Sequence, residues 1–226
     1  MQRNLKLGGN TDIKIRPKLV IYRFRAFCFG DLNLKEVLQI AVENTECGKI
    51  MIKTERLIIR EMVQTDFDAL CKILCDEEVM RTAYESAFSA EEVQSWMNRH
   101  FKRYEEYGFG LWAVVLKETG TMIGQCGLTM QKWKEKEILE IGYLFQKAYW
   151  HRGYAAEAAI ACKEYAFSVL NADSVYSSIR DTNTASQNVA VRSGMKIVDK
   201  ATRNFRYVDM DFFLYSAKQA NQGYIK

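Results

Sequence analysis

Residues 137–158 read E-I-L-E-I-G-Y-L-F-Q-K-A-Y-W-H-R-G-Y-A-A-E-A, and this stretch decides the fold prediction. Its apolar run predicts a strand, which a short polar loop joins to an alanine-rich helix beginning near Gly153. The main-chain N–H groups at the start of a helix carry partial positive charge and favour anions. Small residues at Gly153, Ala155 and Ala156 would let a phosphate group approach the main chain closely.

Two common nucleotide-binding loops are absent from this stretch. No Gly-Lys pair followed by Ser or Thr is present, which excludes the loop of nucleotide-hydrolysing enzymes. No G-x-G-x-x-G is present either, which excludes the dinucleotide-binding fingerprint. A pyrophosphate held by main-chain amides, without a metal-binding hydroxyl, suits a carrier that is bound but not cleaved at phosphorus.

The segment W-H-R-G-Y-A-A-E-A at 150–158 resembles the coenzyme A signature of the GCN5-related N-acetyltransferases, the GNAT superfamily. It is most similar to the branch that contains the ribosomal-protein N-terminal acetyltransferases. The resemblance covers about residues 51–216, and three further segments follow the family's order: T-E-R-L-I-I-R-E at 54–61, G-L-W-A-V-V-L-K-E-T-G-T-M-I-G-Q-C-G-L at 110–128, and N-T-A-S-Q-N-V-A-V-R-S-G-M at 183–195.

The resemblance implies an acyl-CoA N-acyltransferase fold of the α/β class. We expect a mixed, mostly antiparallel sheet of about seven strands flanked by helices. The sequence pattern agrees, because hairpins occur among alternating strands and helices. The predicted strands are 56–62, 110–117, 121–130, 137–145, 174–180, 196–202 and 206–216, and the predicted helices are 65–75, 90–106, 153–169 and 184–193.

The resemblance also implies acetyl-CoA as co-substrate, with no metal. The main chain of the last two strand residues would lie beside the pantetheine and acetyl group, the loop amides would hold the pyrophosphate, and two residues of the later segment would bind the carrier arm. For those last two, helix capping is the alternative. The expected contacts are Leu144, Phe145, His151, Arg152, Gly153, Tyr154, Ala155, Ala156, Asn183 and Ser186.

Glu140 is the candidate general base. It stands in an otherwise apolar strand directly before the loop, where burial would raise the pKa of its carboxyl group and suit it to accept a proton from an amine. In the family, a glutamate on this strand often acts through a water molecule. The alternative is an exposed strand residue or a salt-bridge partner, since strand alternation alone places polar residues there.

One departure from the family pattern leaves the general acid unassigned. The tyrosine that many members use falls at Ala190, so the thiolate would leave unaided or take a proton from water or from a hydroxyl such as that of Ser186. The sequence therefore allows two functions. One is an enzyme that transfers acetyl to a primary amine by direct attack in a ternary complex. The other is an inactive acyl-CoA-binding or regulatory module, which would have no chemical reason to keep Glu140.

The acceptor is left open between a protein N-terminus and a small amine. Tyr84, Phe109 and Trp112 are candidates for an acceptor wall, although aromatic residues at such spacings are more often core. Residues 51–226 carry balanced charge, because the nine Lys/Arg and five Asp/Glu of residues 1–50 hold the whole formal charge of +4. We therefore expect no nucleic-acid partner, and a monomer or homodimer.

Residues 1–50 lie outside the resemblance to the catalytic domain, which we place at 51–226. A strand-like run at 20–29 and a helix-like run at 32–42 allow an appendage that packs on the enzyme or binds a partner. The hypothesis that we favour is that Met51 is the biological start. No apolar run approaches the ~20 residues of a membrane span, and six cysteines without a disulfide framework indicate a reducing compartment, so we expect a cytoplasmic protein.

Overall fold

The computed structural model describes residues 5–7, 11–13, 48–83, 86–205 and 208–219. The strands of these residues are β1 Leu5–Leu7, β2 Thr11–Ile13, β3 Ile50–Lys53, β4 Leu57–Arg60, β5 Leu111–Leu116, β6 Met122–Trp133, β7 Lys136–Phe145, β8 Ser174–Arg180, β9 Lys196–Phe205 and β10 Val208–Lys218. The main sheet has eight of them in the order β3-β4-β5-β6-β7-β8-β10-β9, and β1 and β2 form a separate antiparallel pair. The α-helices are α1 Phe67–Leu74, α2 Glu77–Ala83, α3 Ala90–Tyr107, α4 Tyr154–Ser168 and α5 Thr184–Arg192.

The predicted fold class is confirmed, because the main sheet is mixed and mostly antiparallel. Only β7 and β8 run parallel among the strand pairs of the described residues. Four elements are absent from the sequence prediction, and two of them are the short paired strands β1 and β2. Strand β3 adds an eighth strand at the sheet edge beside β4, and the short helix α2 follows α1. No helix in the described ranges combines the length and apolarity needed to span a bilayer.

Two hydrophobic clusters cover the two faces of the sheet. Helix α4 buries Ala158, Cys162 and Ala166 in one cluster, and helices α1 and α3 bury residues such as Leu70 and Met97 in the other. Strand β5 is buried along its whole length because it lies between the two clusters. The sheet is thus covered on both sides, and its strand ends remain available for a site.

Local signals in the sequence set the ends of the helices. Ser89 and Glu92 form a capping box at the start of α3, with the Glu92 amide donating to the Ser89 hydroxyl oxygen over 3.3 Å and the Ser89 amide to the Glu92 carboxylate over 2.8 Å. Gly108 ends α3 in the left-handed conformation, and Gly194 at φ 79° follows α5.

The register of β6 against β7 decides which side chains share a face. Gln125 lies opposite Leu144, Gly127 opposite Gly142, and Thr129 opposite Glu140. Side chains alternate between the two faces of a strand, and directly opposed residues share a face. These six residues therefore lie on one face of the sheet, with the Glu140 carboxylate and the Gln125 amide at separate positions along it.

Strands β7 and β8 separate almost as soon as they meet. The described residues pair them at one position, Glu140 with Tyr176. Just beyond it, the Ser177 hydroxyl donates to the Ile141 carbonyl over 2.9 Å, and the Ser178 amide donates to Glu140 Oε1 over 3.2 Å. Side-chain atoms thus replace the main-chain ladder at this point. The sheet opens from there towards the end of β7.

The N-terminal side of β3 bears on the expected boundary at residue 51. Lys49 accepts a hydrogen bond of 2.8 Å from the Glu61 amide, and Gly48 is buried at φ 76°. A side chain at Gly48 would meet the Glu61 carbonyl oxygen at 2.3 Å. The runs predicted at 20–29 and 32–42 lie outside the described residues, so the appendage hypothesis stays a prediction.

We expect a variant that begins at Gly48, after an initiator Met, to keep its melting temperature and activity. A variant that begins at Met51 also loses Ile50 from β3 and the Lys49 carbonyl. It should therefore melt a few degrees lower, since one lost main-chain hydrogen bond is worth about 1 kcal/mol. Differential scanning calorimetry of both variants beside the full chain tests this. A large loss of stability on deleting residues 1–47 would show that the extension is structural.

Candidate functional site

The loop before α4 leads into main-chain amides at the N-terminal start of that helix. His151 has φ 59° and Gly153 has φ 81°, both in the left-handed region that favours glycine. Gly153 is the N-cap residue of α4, and no side chain caps the helix there. The first-turn N–H groups therefore lack intrahelical or capping partners, as an anion-binding helix start requires.

An acidic residue in the first turn of α4 is neutralised from a distant strand. The Glu157 carboxylate forms a salt bridge of 2.7 Å with Arg56, accepts a hydrogen bond of 2.6 Å from the Thr54 hydroxyl, and has a pKa below its usual range, which these partners lower against burial. The same Arg56 guanidinium donates to the Arg152 carbonyl over 3.0 Å and lies 4.4 Å from the centre of the Tyr154 ring. Arg56 thus holds the loop in place, and its positive charge compensates the Glu157 carboxylate that would otherwise repel an anion.

A cavity of about 330 Å³ lies between this loop, the end of β7 and the start of α5, and we call it the loop cavity. Nine of the ten residues predicted to contact the carrier line it: Leu144, Phe145, His151, Gly153, Tyr154, Ala155, Ala156, Asn183 and Ser186. Arg152 does not line it. The Arg152 guanidinium lies 5.8 Å from the centre of the Tyr149 ring instead.

Three of the lining residues that were not predicted from the sequence add a charge or a large ring to the loop cavity. Arg192, at the C-terminal end of α5, contributes a cation to the wall. Tyr149 lies in the polar loop, and Trp150 donates its indole N–H to the Phe145 carbonyl over 2.8 Å. The Trp150 position was known from the motif, but nothing in the sequence shows that its indole anchors the end of β7.

A second cavity of about 400 Å³ contains Glu140, and we call it the Glu140 cavity. It extends along the shared face of β6 and β7 and across the opening to β8, β10 and β9. Its polar lining includes Gln125, Gln131, Arg180 and Arg203. The cavity is large enough to admit a small acceptor molecule beside the carboxylate.

The Glu140 carboxyl group has a pKa near neutral pH. Its side chain is half-buried, and desolvation by the surrounding protein raises its pKa to about 7, against the lowering effects of the Ser178 amide and the Arg203 guanidinium. A carboxyl group with such a pKa releases and accepts protons near physiological pH. Neither the exposed strand position nor the simple salt bridge that we considered as alternatives describes this environment.

The raised pKa predicts a stability cost for ionised Glu140. The folded state keeps its proton to about pH 7, whereas the unfolded chain releases it near pH 4.5. Stability should therefore fall as the pH rises from 4.5 to about 7. We expect Glu140→Gln to gain about 2 kcal/mol over the wild type between pH 5 and pH 8. Chemical denaturation at both pH values measures this, and a difference that does not depend on pH would contradict it.

The two cavities meet where β7 and β8 separate. They share Thr82, Tyr143, Leu144, Asn183 and Ser186 in their linings. The Tyr143 hydroxyl donates to the Ser186 carbonyl over 3.0 Å, which positions the phenol group of Tyr143 at this junction. Burial raises the pKa of the Tyr143 hydroxyl, which keeps it protonated at neutral pH. Sequence analysis missed Tyr143, because strand alternation gives its side chain no distinctive signal.

The hydrogen-bond alternation of the ladder distinguishes Leu144 from Phe145. The Gln146 amide donates to the Ile123 carbonyl over 2.9 Å, in register with the pairing of Leu144 with Gln125. In an antiparallel ladder every second residue uses its main chain in the same pair of strands. The Leu144 amide is therefore directed to β6, and the Phe145 amide is directed to the opening towards β8. Of the two main-chain positions predicted to lie beside the acetyl group, Phe145 is therefore the one whose amide is directed to the opening.

The structure shows the capping arrangement that we considered for the α5 segment. Asn183 is the N-cap, with its Oδ1 accepting from the Ser186 amide over 3.0 Å and its Nδ2 donating to the Thr82 carbonyl over 2.8 Å. Both residues nevertheless line the loop cavity. Ala190 is buried in the core near α4, and an alanine supplies no proton.

The predicted acceptor wall is corrected by the structure. Phe109 and Trp112 are 1% and 0% exposed, belong to the hydrophobic core beside α4 and line neither cavity. The Trp112 ring packs edge-on against Tyr165 of α4 at 5.3 Å, and the Phe109 ring packs beside Tyr107 at 5.8 Å. Tyr84 lies outside the described residues. The aromatic residues that do line the Glu140 cavity are Trp96, Tyr143 and Phe212.

Comparisons with known proteins agree with this architecture. A family model described as "Acetyltransferase (GNAT) domain" matches residues 56–196. The "Uncharacterized protein YkkB" of Bacillus subtilis (strain 168) is 33% identical over 148 residues, which are 66% of this chain and 86% of YkkB. A GNAT-family acetyltransferase crystal structure from Bacillus anthracis has a TM-score of 0.64 at 25% identity, covering 74% of this chain and 97% of that one.

This chain belongs to the GNAT acetyltransferase family. The family membership predicted from the loop and strand motifs is therefore confirmed. The fold is also shared with RimL, described as a ribosomal L7/L12 alpha-N-protein acetyltransferase in complex with coenzyme A. That structure has a TM-score of 0.62 at 16% identity and covers 75% of this chain and 98% of its own.

Proposed function

We propose that the protein transfers the acetyl group of acetyl-CoA to a primary amine by direct attack within a ternary complex. The observation that carries this proposal is the meeting of two cavities at the opening between β7 and β8, with Glu140 lining one and uncapped helix amides lining the other. A donor in the loop cavity and an acceptor in the Glu140 cavity would bring their reacting groups together at this junction.

The loop cavity fits the donor. The uncapped amides at the start of α4 suit a pyrophosphate, and Gly153 leaves the main chain uncovered. Arg192 adds a cation for the remaining phosphate charge. The RimL structure of the same fold is described as a complex with coenzyme A, which supports the same ligand class here.

Glu140 would accept the proton of the incoming ammonium, directly or through a water molecule. Its pKa of about 7 lies between the pKa of a solvent-exposed carboxyl group and that of an alkylammonium ion. Glu140 can therefore accept a proton in the reaction and release it again to solvent. The amine nitrogen then bonds to the acetyl carbon, the carbon–sulfur bond breaks, and the sulfur leaves with its electron pair. The nitrogen gives up its second proton to solvent and the thiolate takes up one proton, so the products are an N-acetyl amide and the free thiol of coenzyme A.

Two further groups at the junction support the transfer. The Phe145 amide is directed into the opening, and in this proposal it would donate to the thioester oxygen as negative charge develops there. The Tyr143 hydroxyl is the phenol nearest the role that Ala190 leaves vacant, and its high pKa suits a hydrogen-bond donor to the departing sulfur. We therefore assign this role to Tyr143 ahead of the Ser186 hydroxyl.

The alternative is a module that binds acyl-CoA without turning it over. Against it stands the desolvated Glu140 carboxyl group, which costs stability when ionised and whose partners among the described residues are the Ser178 amide and the Arg203 charge. A regulatory module gains nothing from this cost. The proposed function covers two classes of acceptor, a small amine and a protein N-terminus.

Release of free thiol from acetyl-CoA, followed with a chromogenic disulfide, tests the proposed function. The assay uses a panel of primary amines and peptides with free N-termini, and mass spectrometry confirms a 1:1 yield of acetylated product. We expect turnover with at least one acceptor and none with a secondary amide. Micromolar acetyl-CoA binding in calorimetry without turnover on any acceptor would support the binding module instead.

A further inference from the structure

Gln125 is a buried amide on the wall of the Glu140 cavity. It is 0% exposed in the free protein, and it lies on the face of β6 that also carries Thr129 opposite Glu140. Its Oε1 accepts a hydrogen bond of 3.1 Å from the Trp96 indole N–H. An indole nitrogen only donates, so this contact fixes the amide with its oxygen towards Trp96.

The other end of the same amide has no hydrogen-bond partner. Among the described residues, none accepts from Gln125 Nε2. The Trp96 ring packs edge-on against Phe88 and His100, with centroid separations of 5.7 and 5.1 Å, so the indole cannot easily turn to release the amide. A buried unpaired N–H donor is costly and calls for a partner that the folded chain does not supply.

Charge in the Glu140 cavity favours oxygen atoms over a second ammonium. The charged residues that line it in the described part of the chain are Glu140, Arg180 and Arg203, two cations against one carboxylate. Arg203 lies over the Trp133 ring at 4.4 Å and donates to the Lys132 carbonyl over 3.0 Å, which holds its charge beside the cavity. A polyamine would meet repulsion here, whereas a carbonyl or carboxylate would find donors.

We propose that the acceptor is a primary amine that also carries a carbonyl or carboxylate oxygen, and that Gln125 Nε2 donates a hydrogen bond to this oxygen. The proposal rests on the proposed function and names the substrate class of that site. A site built to hydrogen-bond a substrate group discriminates against the analogue that lacks it, because its own polar atom is then left buried and unpaired.

The test compares acceptors that differ in the oxygen alone. Glycinamide and a tetrapeptide with a free N-terminus carry the carbonyl, and ethylamine lacks it. We expect Gln125→Met to lower kcat/KM for glycinamide and the peptide by about tenfold to a hundredfold, and for ethylamine by less than about threefold. Dividing the wild-type value by the variant value for each acceptor cancels the different basicities of the amines. A loss with the peptide alone or with glycinamide alone identifies which source of the carbonyl the enzyme uses.

Gln131→Met is the matched control. Gln131 lies on the same face of β6 and lines the same cavity, but its Nε2 already donates to the Thr129 hydroxyl over 3.2 Å. Gln131→Met should change kcat/KM by the same factor for every acceptor. Trp96→Phe is a second variant, which removes the N–H that orients Gln125 and should lower the values for carbonyl-bearing acceptors selectively.

Equal losses with ethylamine and glycinamide in Gln125→Met would overturn the proposal and make Gln125 structural. A wild-type preference for spermidine over glycinamide would overturn it as well. Calorimetric titration of glycinamide into the coenzyme A complex gives a readout that does not need turnover. Binding that Gln125→Met abolishes, in a protein that acetylates nothing, would uphold this inference and refute the proposed function. Absence of such binding in the wild type would overturn the inference.

Discussion

Replacement of Glu140 by Gln is expected to lower kcat by about 10²–10⁴, the usual contribution of a positioned general base. Gln keeps an oxygen that can accept from the Ser178 amide, so the opening between β7 and β8 should keep its shape. Acetyl-CoA affinity should hardly change, because the donor contacts lie in the loop cavity. Steady-state kinetics and calorimetry separate the two quantities.

The pH profile gives this prediction its sharpest form. With a pKa of about 7, Glu140 is increasingly deprotonated as the pH rises, so wild-type kcat should rise through about pH 7 and then level off. The variant should lack this rise near pH 7. Its kcat should increase only at higher pH, where more of the amine arrives unprotonated, so the deficit relative to the wild type should shrink there. Glu137→Gln, an exposed glutamate on the same strand, is the control and should behave as the wild type. Wild-type turnover by Glu140→Gln at every pH would exclude the base role and leave Glu85, which lies outside the described residues, or a mechanism through water alone.

Gly153→Asp is expected to weaken acetyl-CoA binding by about a hundredfold or more. The new carboxylate would stand at the start of α4 beside the bound phosphates, and a like charge within about 4 Å costs several kcal/mol at a protein surface. The fold itself has room for the side chain, since a Cβ at Gly153 meets Arg56 Nη2 at 3.4 Å. Calorimetric titration with acetyl-CoA measures the effect.

Gly153→Asn separates charge from backbone strain in the same experiment. Asn matches Asp in shape and tolerates the left-handed conformation at φ 81°, but it carries no charge. We expect its affinity to fall by about tenfold or less, with the melting temperatures of both variants close together. Unchanged affinity in Gly153→Asp would remove the pyrophosphate from this helix start.

The sequence predicted those parts of the site that are continuous in the chain. The loop and α4 were found because small residues, a strand and a helix follow one another within 137–158, and Glu140 was found because a carboxylate interrupts an apolar strand. These signals are local, so neighbouring residues alone carry them. Strand β3 was missed because its four residues are too few to show an alternation, and the seven-residue helix α2 has no strong start signal.

Residues brought together by the sheet had no signal in the sequence. Arg56 and Glu157 are separated by 101 positions, so their ion pair follows from the order of strands and not from spacing. Gln125 sits in an apolar run, and only the contact with Trp96 shows which end of its amide is free. Phe109 and Trp112 illustrate the reverse error, because aromatic side chains on a sheet give the same pattern in a core as in a binding wall.

The separation of β7 from β8 also has a consequence for how the molecule unfolds. Backbone pairing at Glu140 and Tyr176 joins the five strands β3 to β7 to the three strands β8, β10 and β9. The hydrophobic core beside α4 still joins the two groups through Val175 and Ile179, so the sparse main-chain pairing is the weak part of this junction. We therefore expect the smaller group of strands to open at lower free energy than the rest. A ligand lying in the opening contacts both groups at once and stabilises only their closed arrangement. Ligand binding and the stability of this junction are therefore thermodynamically linked, and we expect a bound ligand to increase the protection of β8, β10 and β9 in amide hydrogen exchange.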